Sequence, residues 1–154
     1  MKNKVTVADL IMGIGGLVTF IFSFLAFYKF GDTSINAWDT DGVAFASTLP
    51  AILGLAMAVW IGLELAGVNL PDQVLTYTPT QLKGTWAIAA GGIMLSWLST
   101  DGDKGAGFFL MLVGSLAMSA GAVMALLGKG TETVNIGGTK TVEPATTSMP
   151  PPSV

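Results

Sequence analysis

A chain of 154 residues with 51% hydrophobic and only 11% charged residues, at a net charge of -3, is too apolar for an ordinary water-soluble domain. Histidine, cysteine and arginine are all absent, which removes disulfides, thiolate or imidazole metal sites, Cys and His nucleophile systems and arginine clamps on phosphate. Without a basic cluster the chain does not suit nucleic acid, and no cofactor-binding motif is present.

Four apolar segments follow in chain order, at residues 8–30, 50–67, 84–99 and 106–127. A hydrocarbon core about 30 Å thick needs roughly 20 helical residues, so the pattern predicts an all-α integral membrane protein with a four-transmembrane-helix bundle. Helix 1 is expected over about 7–30. Thr6 and Asp9 have the spacing of a capping box at its start. Lys2 and Lys4 before an apolar run resemble a secretory signal, but the small-residue pattern Ala44-Phe45-Ala46 lies too far downstream for cleavage, which favours a signal anchor. Helix 2 is expected over about 50–67, opened by Pro50 and closed by Gly67; the alternative is a helix from about Gly42 kinked at Pro50. Thr78, Pro79 and Gln81 form a second capping box that starts helix 3, over about 79–99. Helix 4 is expected over about 104–127, with Gly128 and Gly130 as its stop. The transmembrane domain thus covers 1–128. Residues 129–154 read as a disordered Thr/Pro-rich cytoplasmic tail, with a weak hairpin pattern around Gly137-Gly138 and the run Pro150-Pro151-Pro152.

Lysines set the expected orientation. Lys2, Lys4, Lys83, Lys129 and Lys140 fall on one side and Lys29 and Lys104 on the other, which predicts both termini in the cytoplasm. Tyr28, Trp38 and Trp97 then sit near the outer interface and Trp86 near the inner one.

Small residues recur every fourth position at Gly54, Ala58, Gly62 and Ala66 in helix 2, and at Ala117, Gly121 and Ala125 in helix 4. Such stripes let helix backbones approach closely in lipid, either within the bundle or against another subunit. Glu64 is the ionisable residue inside an apolar segment and is a candidate intramembrane polar site, although its place near the end of helix 2 also lets it meet Lys83. Asp9 is accounted for by capping. The pairs Asp39/Asp41 and Asp101/Asp103 lack the remaining ligands of a calcium loop, and the glycines at 13, 15 and 16 lie inside a span rather than between a strand and a helix. No catalytic or metal site emerges.

The succession Phe22-Ser23-Phe24-Leu25-Ala26-Phe27, Asn36-Ala37-Trp38, Leu49-Pro50-Ala51-Ile52-Leu53-Gly54, Leu70-Pro71 and Thr80-Gln81-Leu82 resembles small four-span membrane proteins of actinobacteria, over residues 5–128. That group is largely of unknown function, so the resemblance implies a multi-pass protein of the bacterial plasma membrane and no catalytic residue. The expected function is a non-enzymatic accessory or scaffold subunit of a larger membrane or envelope complex. Its expected partners are the lipid bilayer and other membrane subunits or further copies of itself. The alternative is a small pore, holin-like protein or transporter.

Overall fold

A computed structural model of the chain describes residues 5–39 and 44–134. Most of it is helical: α1 (Val7–Phe22), α2 (Ala44–Leu65), α3 (Pro79–Ser96) and α4 (Ala106–Leu126) run alternately up and down, each packed on its chain neighbours, with α4 returning to α1. Three short strands at one end, β1 (Tyr28–Phe30), β2 (Thr33–Ile35) and β3 (Asp103–Lys104), make an antiparallel sheet in the order β2-β1-β3. The all-α expectation is therefore corrected to a mostly helical fold with a small sheet. Of the four expected spans, α2 and α4 are long and apolar enough to cross a membrane, whereas α1 is apolar but shorter.

The helix starts follow local chemistry. Both capping boxes form: Thr6 Oγ1 accepts from the Asp9 amide at 3.2 Å while Asp9 Oδ2 accepts from the Thr6 amide at 3.0 Å, and Thr78 and Gln81 repeat the exchange. The ends differ more from expectation. Helix 1 stops at Phe22 rather than Phe30, because Ser23 Oγ donates back to the Phe20 carbonyl and the Ser23 carbonyl accepts from the Ala37 amide, so the chain turns. The apolar stretch beyond it forms β1 instead. Pro50 lies inside α2, not at its start. The ring removes the donor that would bond the Ala46 carbonyl, and that carbonyl instead accepts from Trp97 Nε1 at 3.4 Å.

Packing between helices relies on small residues. A Cβ added to Gly15 would lie 2.6 Å from the Gly114 carbonyl oxygen, and one on Gly16 would lie 2.5 Å from that of Gly54, so α1 touches α4 and α2 backbone to backbone. Interior hydroxyls are spent on helix carbonyls: Thr19 bonds Gly15 at 2.8 Å, and Ser119 bonds Ala87 at 2.8 Å and Ser115 at 3.0 Å. Methionines 12, 57, 94, 111 and 118 fill the remaining space. Many leucine, isoleucine, valine and phenylalanine side chains instead point outward, as at Leu17, Leu55, Val59, Phe109 and Val113, while Val5, Ile61, Phe27 and Phe108 are buried.

At the sheet end Phe27 is fully buried and meets Trp97 and Phe108 edge to face at 5.5 and 5.3 Å. Ser47 and Thr48 at the start of α2 both donate to the Ala37 carbonyl, which ties the first loop to the second helix. At the opposite end the chain leaving α4 does not drift away as a disordered tail would. Its Gly130 and Glu132 carbonyls accept from the Ala8 and Val7 amides, at 3.2 and 3.1 Å, and the Val134 amide donates to Val5 at 2.9 Å. The first two bonds satisfy first-turn amides of α1 that have no partner within the helix. The expected tail is thus corrected for residues 129–134, and the hairpin and proline run lie outside the described residues.

Candidate functional site

The alternating direction of the helices brings three sequence positions to one level. Asp9 occupies the first turn of α1, Glu64 the last turn of α2 and Lys83 the first turns of α3, so all three stand at the end of the bundle opposite the sheet. Lys83 Nζ donates to Asp9 Oδ1 and to Glu64 Oε2, the latter at 3.2 Å. The second oxygen of each carboxylate is held elsewhere. Asp9 Oδ2 accepts from the Thr6 amide and, at 2.7 Å, from Thr6 Oγ1, and Glu64 Oε1 accepts from Trp60 Nε1 at 3.0 Å.

The group is largely removed from solvent: the side chains of Lys83, Asp9 and Glu64 are 7, 12 and 10% exposed. Desolvation on this scale makes each charge dependent on the others, because an unpaired buried charge costs several kcal/mol where a paired one does not. Helix dipoles suit only one of the three charges, since Glu64 stands at the negative end of α2. The positive ends of α1 and α3 face Asp9 and Lys83, favourably for the acid and unfavourably for the lysine, so Lys83 depends on its two carboxylates for its place. Trp60 itself is packed edge to face on Trp86 at 6.0 Å, which fixes the indole that orients Glu64.

A cleft of about 330 Å³ opens beside the triad. Asp9, Glu64 and Lys83 form part of its wall, Pro79 and Thr80 at the start of α3 another part, and Lys129 and Gly130 beyond α4 the rest.

The expected site residues are distributed unevenly around this arrangement. Glu64 does meet Lys83, but as one member of a triad whose other acid, Asp9, reads in sequence only as a cap. Its capping role uses one oxygen and leaves the other for Lys83. The three groups share an end of the bundle as soon as the helices are laid antiparallel, and that shared level is the sequence signal that links them. In the α2 stripe, Gly54 is buried against Gly16, Ala58 is half-buried, and Gly62 and Ala66 are exposed, with no atom within 4 Å of a Cβ placed on Gly62. Four residues advance a helix by about 40° beyond one turn, so a stripe of this spacing winds from the interior to the outer surface. In α4, Gly121 is buried against Ala8 and Met12 of α1, while Ala117 and Ala125 are half-buried, the latter at the cleft.

At the sheet end the two loops do touch, through β1 and β3, yet Asp101 and Asp103 are exposed, and Asp41 lies outside the described residues. Among the described residues no group of three or more acidic, His or Cys side chains is arranged to hold a metal ion. Comparison of the chain with protein families, curated proteins and solved structures finds no match, so its own geometry is what bears on function.

Proposed function

We propose that this chain is a four-span protein of the bacterial plasma membrane, with both termini in the cytoplasm, that serves as a non-enzymatic accessory or scaffold subunit of a larger membrane assembly. The observation that carries the scaffold reading is the α2 stripe leaving the bundle at Gly62, where the space beside the backbone is open. A neighbouring transmembrane helix can approach such a surface closely, and close packing is the main source of helix association in lipid.

The membrane reading is supported by an inverted distribution of side chains. Small, hydroxylated and methionine side chains make up most of the interior, most large aliphatic ones cover the outside, and only a third of the apolar stretch of α2 or α4 is buried within the bundle. Water would disfavour that outer surface, whereas lipid would not. α1, at 16 residues, covers about 24 Å at ~1.5 Å per residue, short of the bilayer core. The turn that follows it is packed under α4: the Phe27 carbonyl accepts from the Gly105 amide and the Ala26 carbonyl from that of Gly107, so its irregular backbone is satisfied by protein at membrane depth. The interior hydroxyls, bonded to helix carbonyls, offer no watery path, which favours a scaffold over a pore or transporter.

Two experiments test this. Because the chain lacks cysteine, single substitutions report sidedness: Asp32→Cys should react with an impermeant maleimide on intact cells, and Asp72→Cys only after lysis. The reverse pattern would overturn the orientation. For the scaffold, native-membrane extraction should recover the protein with partners or further copies, and Gly62→Leu should release them while the monomer stays folded. Recovery of solitary monomers from the unsubstituted protein would overturn it.

A further inference from the structure

The chain leaving α4 turns twice before it crosses the start of α1. Gly128 ends the helix in the left-handed region, with φ of 66°, and the Lys129 amide donates back to the Met124 carbonyl at 2.8 Å. Gly130 repeats the φ of 66°, and a Cβ placed on it would stand 3.0 Å from Met124 Cε and 3.4 Å from the Ala8 nitrogen. These glycines, one on either side of Lys129, aim the following residues across the first turn of α1. There Thr133 lies opposite Thr6 in an antiparallel bridge, and the strap is bonded main chain to main chain at Val5, Val7 and Ala8.

What holds this strap differs from what holds the helices. Lys129, Thr131, Glu132 and Thr133 are exposed, and its one large apolar side chain, Val134, is half-buried in register with the buried Val5. Main-chain bonds with little apolar burial behind them are the kind that open locally, because water replaces them at small net cost. The strap also walls the cleft beside Asp9, Lys83 and Glu64. Uncovering an apolar surface opposes opening, whereas uncovering desolvated charges returns them to water and favours it.

We propose that residues 129–134 are a detachable strap whose release opens the cleft and brings the triad of Asp9, Lys83 and Glu64 to solvent. Closed, the strap satisfies the Val7 and Ala8 amides and the three charges stay buried together. Open, those amides pass to water and the Lys83 ammonium becomes accessible. Asp9 couples the two events. It follows Ala8 in the same helical turn, so the segment that the strap bonds is the one that presents a carboxylate to Lys83. Residues 135–154 continue directly from the strap, so a pull on them acts first on its last bond, from Val134 to Val5. The device does not rest on the scaffold reading, because every group in it belongs to one chain.

The test exposes the full chain in detergent to short pulses of an amine-acylating reagent and identifies the labelled lysines by mass spectrometry. Lys83 should label slowly and the exposed Lys29 quickly. Gly130→Val strains the left-handed turn and crowds Met124, and should raise the Lys83 rate about tenfold, the shift that a left-handed side-chain penalty gives. Hydrogen exchange at the Val7, Ala8 and Val134 amides should rise with it, while the Gly105 and Gly107 amides at the sheet end stay protected. A lock supplies the opposite variant. Val5 and Val134 stand one step along from the Thr6 and Thr133 bridge, and the chain has no cysteine of its own, so Val5→Cys with Val134→Cys can be joined by oxidation. Oxidised, this variant should label at Lys83 about tenfold more slowly than after reduction, with Lys29 unchanged.

Equal Lys83 labelling in the oxidised and reduced double variant would overturn the strap as the control on access. Failure of the two cysteines to join would do the same, because the strap would then not lie on Val5. Faster exchange at Val7 and Ala8 in Gly130→Val with Lys83 labelling unchanged would break the link between strap and triad. Loss of protection at the sheet end in Gly130→Val would make the strap part of the whole fold rather than a separable device, and the proposal fails. All these outcomes are read on the isolated protein, so failure here leaves the partner-recovery experiment on Gly62→Leu unaffected.

Discussion

The two ends of the bundle are closed by different physics. At the sheet end, Phe27, Trp97 and Phe108 meet edge to face and a three-stranded sheet ties the two loops together, so closure rests on shape and dispersion. At the other end, three charges are desolvated together and a strap of backbone from beyond α4 bonds the start of α1. An aromatic cluster loses stability gradually as groups are trimmed. A buried charge set fails when one member is removed, because the survivors remain charged in a site that no longer suits them.

Removing the shared ammonium is the sharpest way to break the comparison. Lys83→Met leaves two carboxylates facing each other at the cleft, and should lower stability by about 3–5 kcal/mol. Denaturant or thermal unfolding in detergent measures it. The substitutions Asp9→Asn and Glu64→Gln added to Lys83→Met should recover a large part of that loss, since the penalty is the uncompensated charge rather than a missing contact. A triple variant as unstable as Lys83→Met would mean that the lysine stem, not the charge, holds this end.

The aromatic end should respond more mildly. Phe27→Leu retains most of the buried volume but loses its edge-to-face pairs with Trp97 and Phe108, at about 0.5–1.5 kcal/mol each before relaxation, so a loss of roughly 1–2 kcal/mol is expected. The same unfolding measurement, repeated at high salt, sharpens the contrast. Neither end should weaken appreciably with salt, one because it is apolar and the other because its charges are buried beyond effective screening. A strong salt dependence would place the triad in solvent.

How much of each end can be read from sequence differs for the same reason. Capping boxes at Thr6 and Thr78 are local, since donor and acceptor are three residues apart, and both form. The ion pair between Glu64 and Lys83 follows once helices 2 and 3 are laid antiparallel, which brings the end of one level with the start of the other. Asp9 escapes because its local role already explains it; a residue that satisfies one rule gives no sign that half of its carboxylate serves another. The end of α1 escapes because residues 23–27 continue the apolar run of the helix before them, and what helps to stop the helix is a bond from Ala37, a residue far along the chain. Pro50 is ambiguous for a related reason. Whether it opens a helix or sits within one depends on whether some other donor can serve the Ala46 carbonyl, and that donor, Trp97, lies in a different helical segment.

The turns at the two ends offer the finest comparison. In the β1–β2 hairpin the left-handed position is Gly31, with φ of 59°, where glycine has no steric cost. In the loop between α2 and α3, Val74 and Tyr77 pair across a tight turn whose left-handed position is Leu75, with φ of 58° and 89% of its surface exposed. A leucine there is strained by about 1–2 kcal/mol and covers nothing in the protein. If the turn mattered only to folding, asparagine would serve better. Leu75→Asn should therefore raise stability in detergent by about 0.5–1 kcal/mol, because asparagine tolerates the left-handed region. The proposed four-span placement would put this loop at the inner headgroup region, where an exposed leucine would gain from contact with acyl chains. In lipid vesicles the gain from Leu75→Asn should accordingly shrink or reverse. An equal gain in detergent and in vesicles would show that the leucine does not enter the bilayer, and would remove the loop from the inner interface.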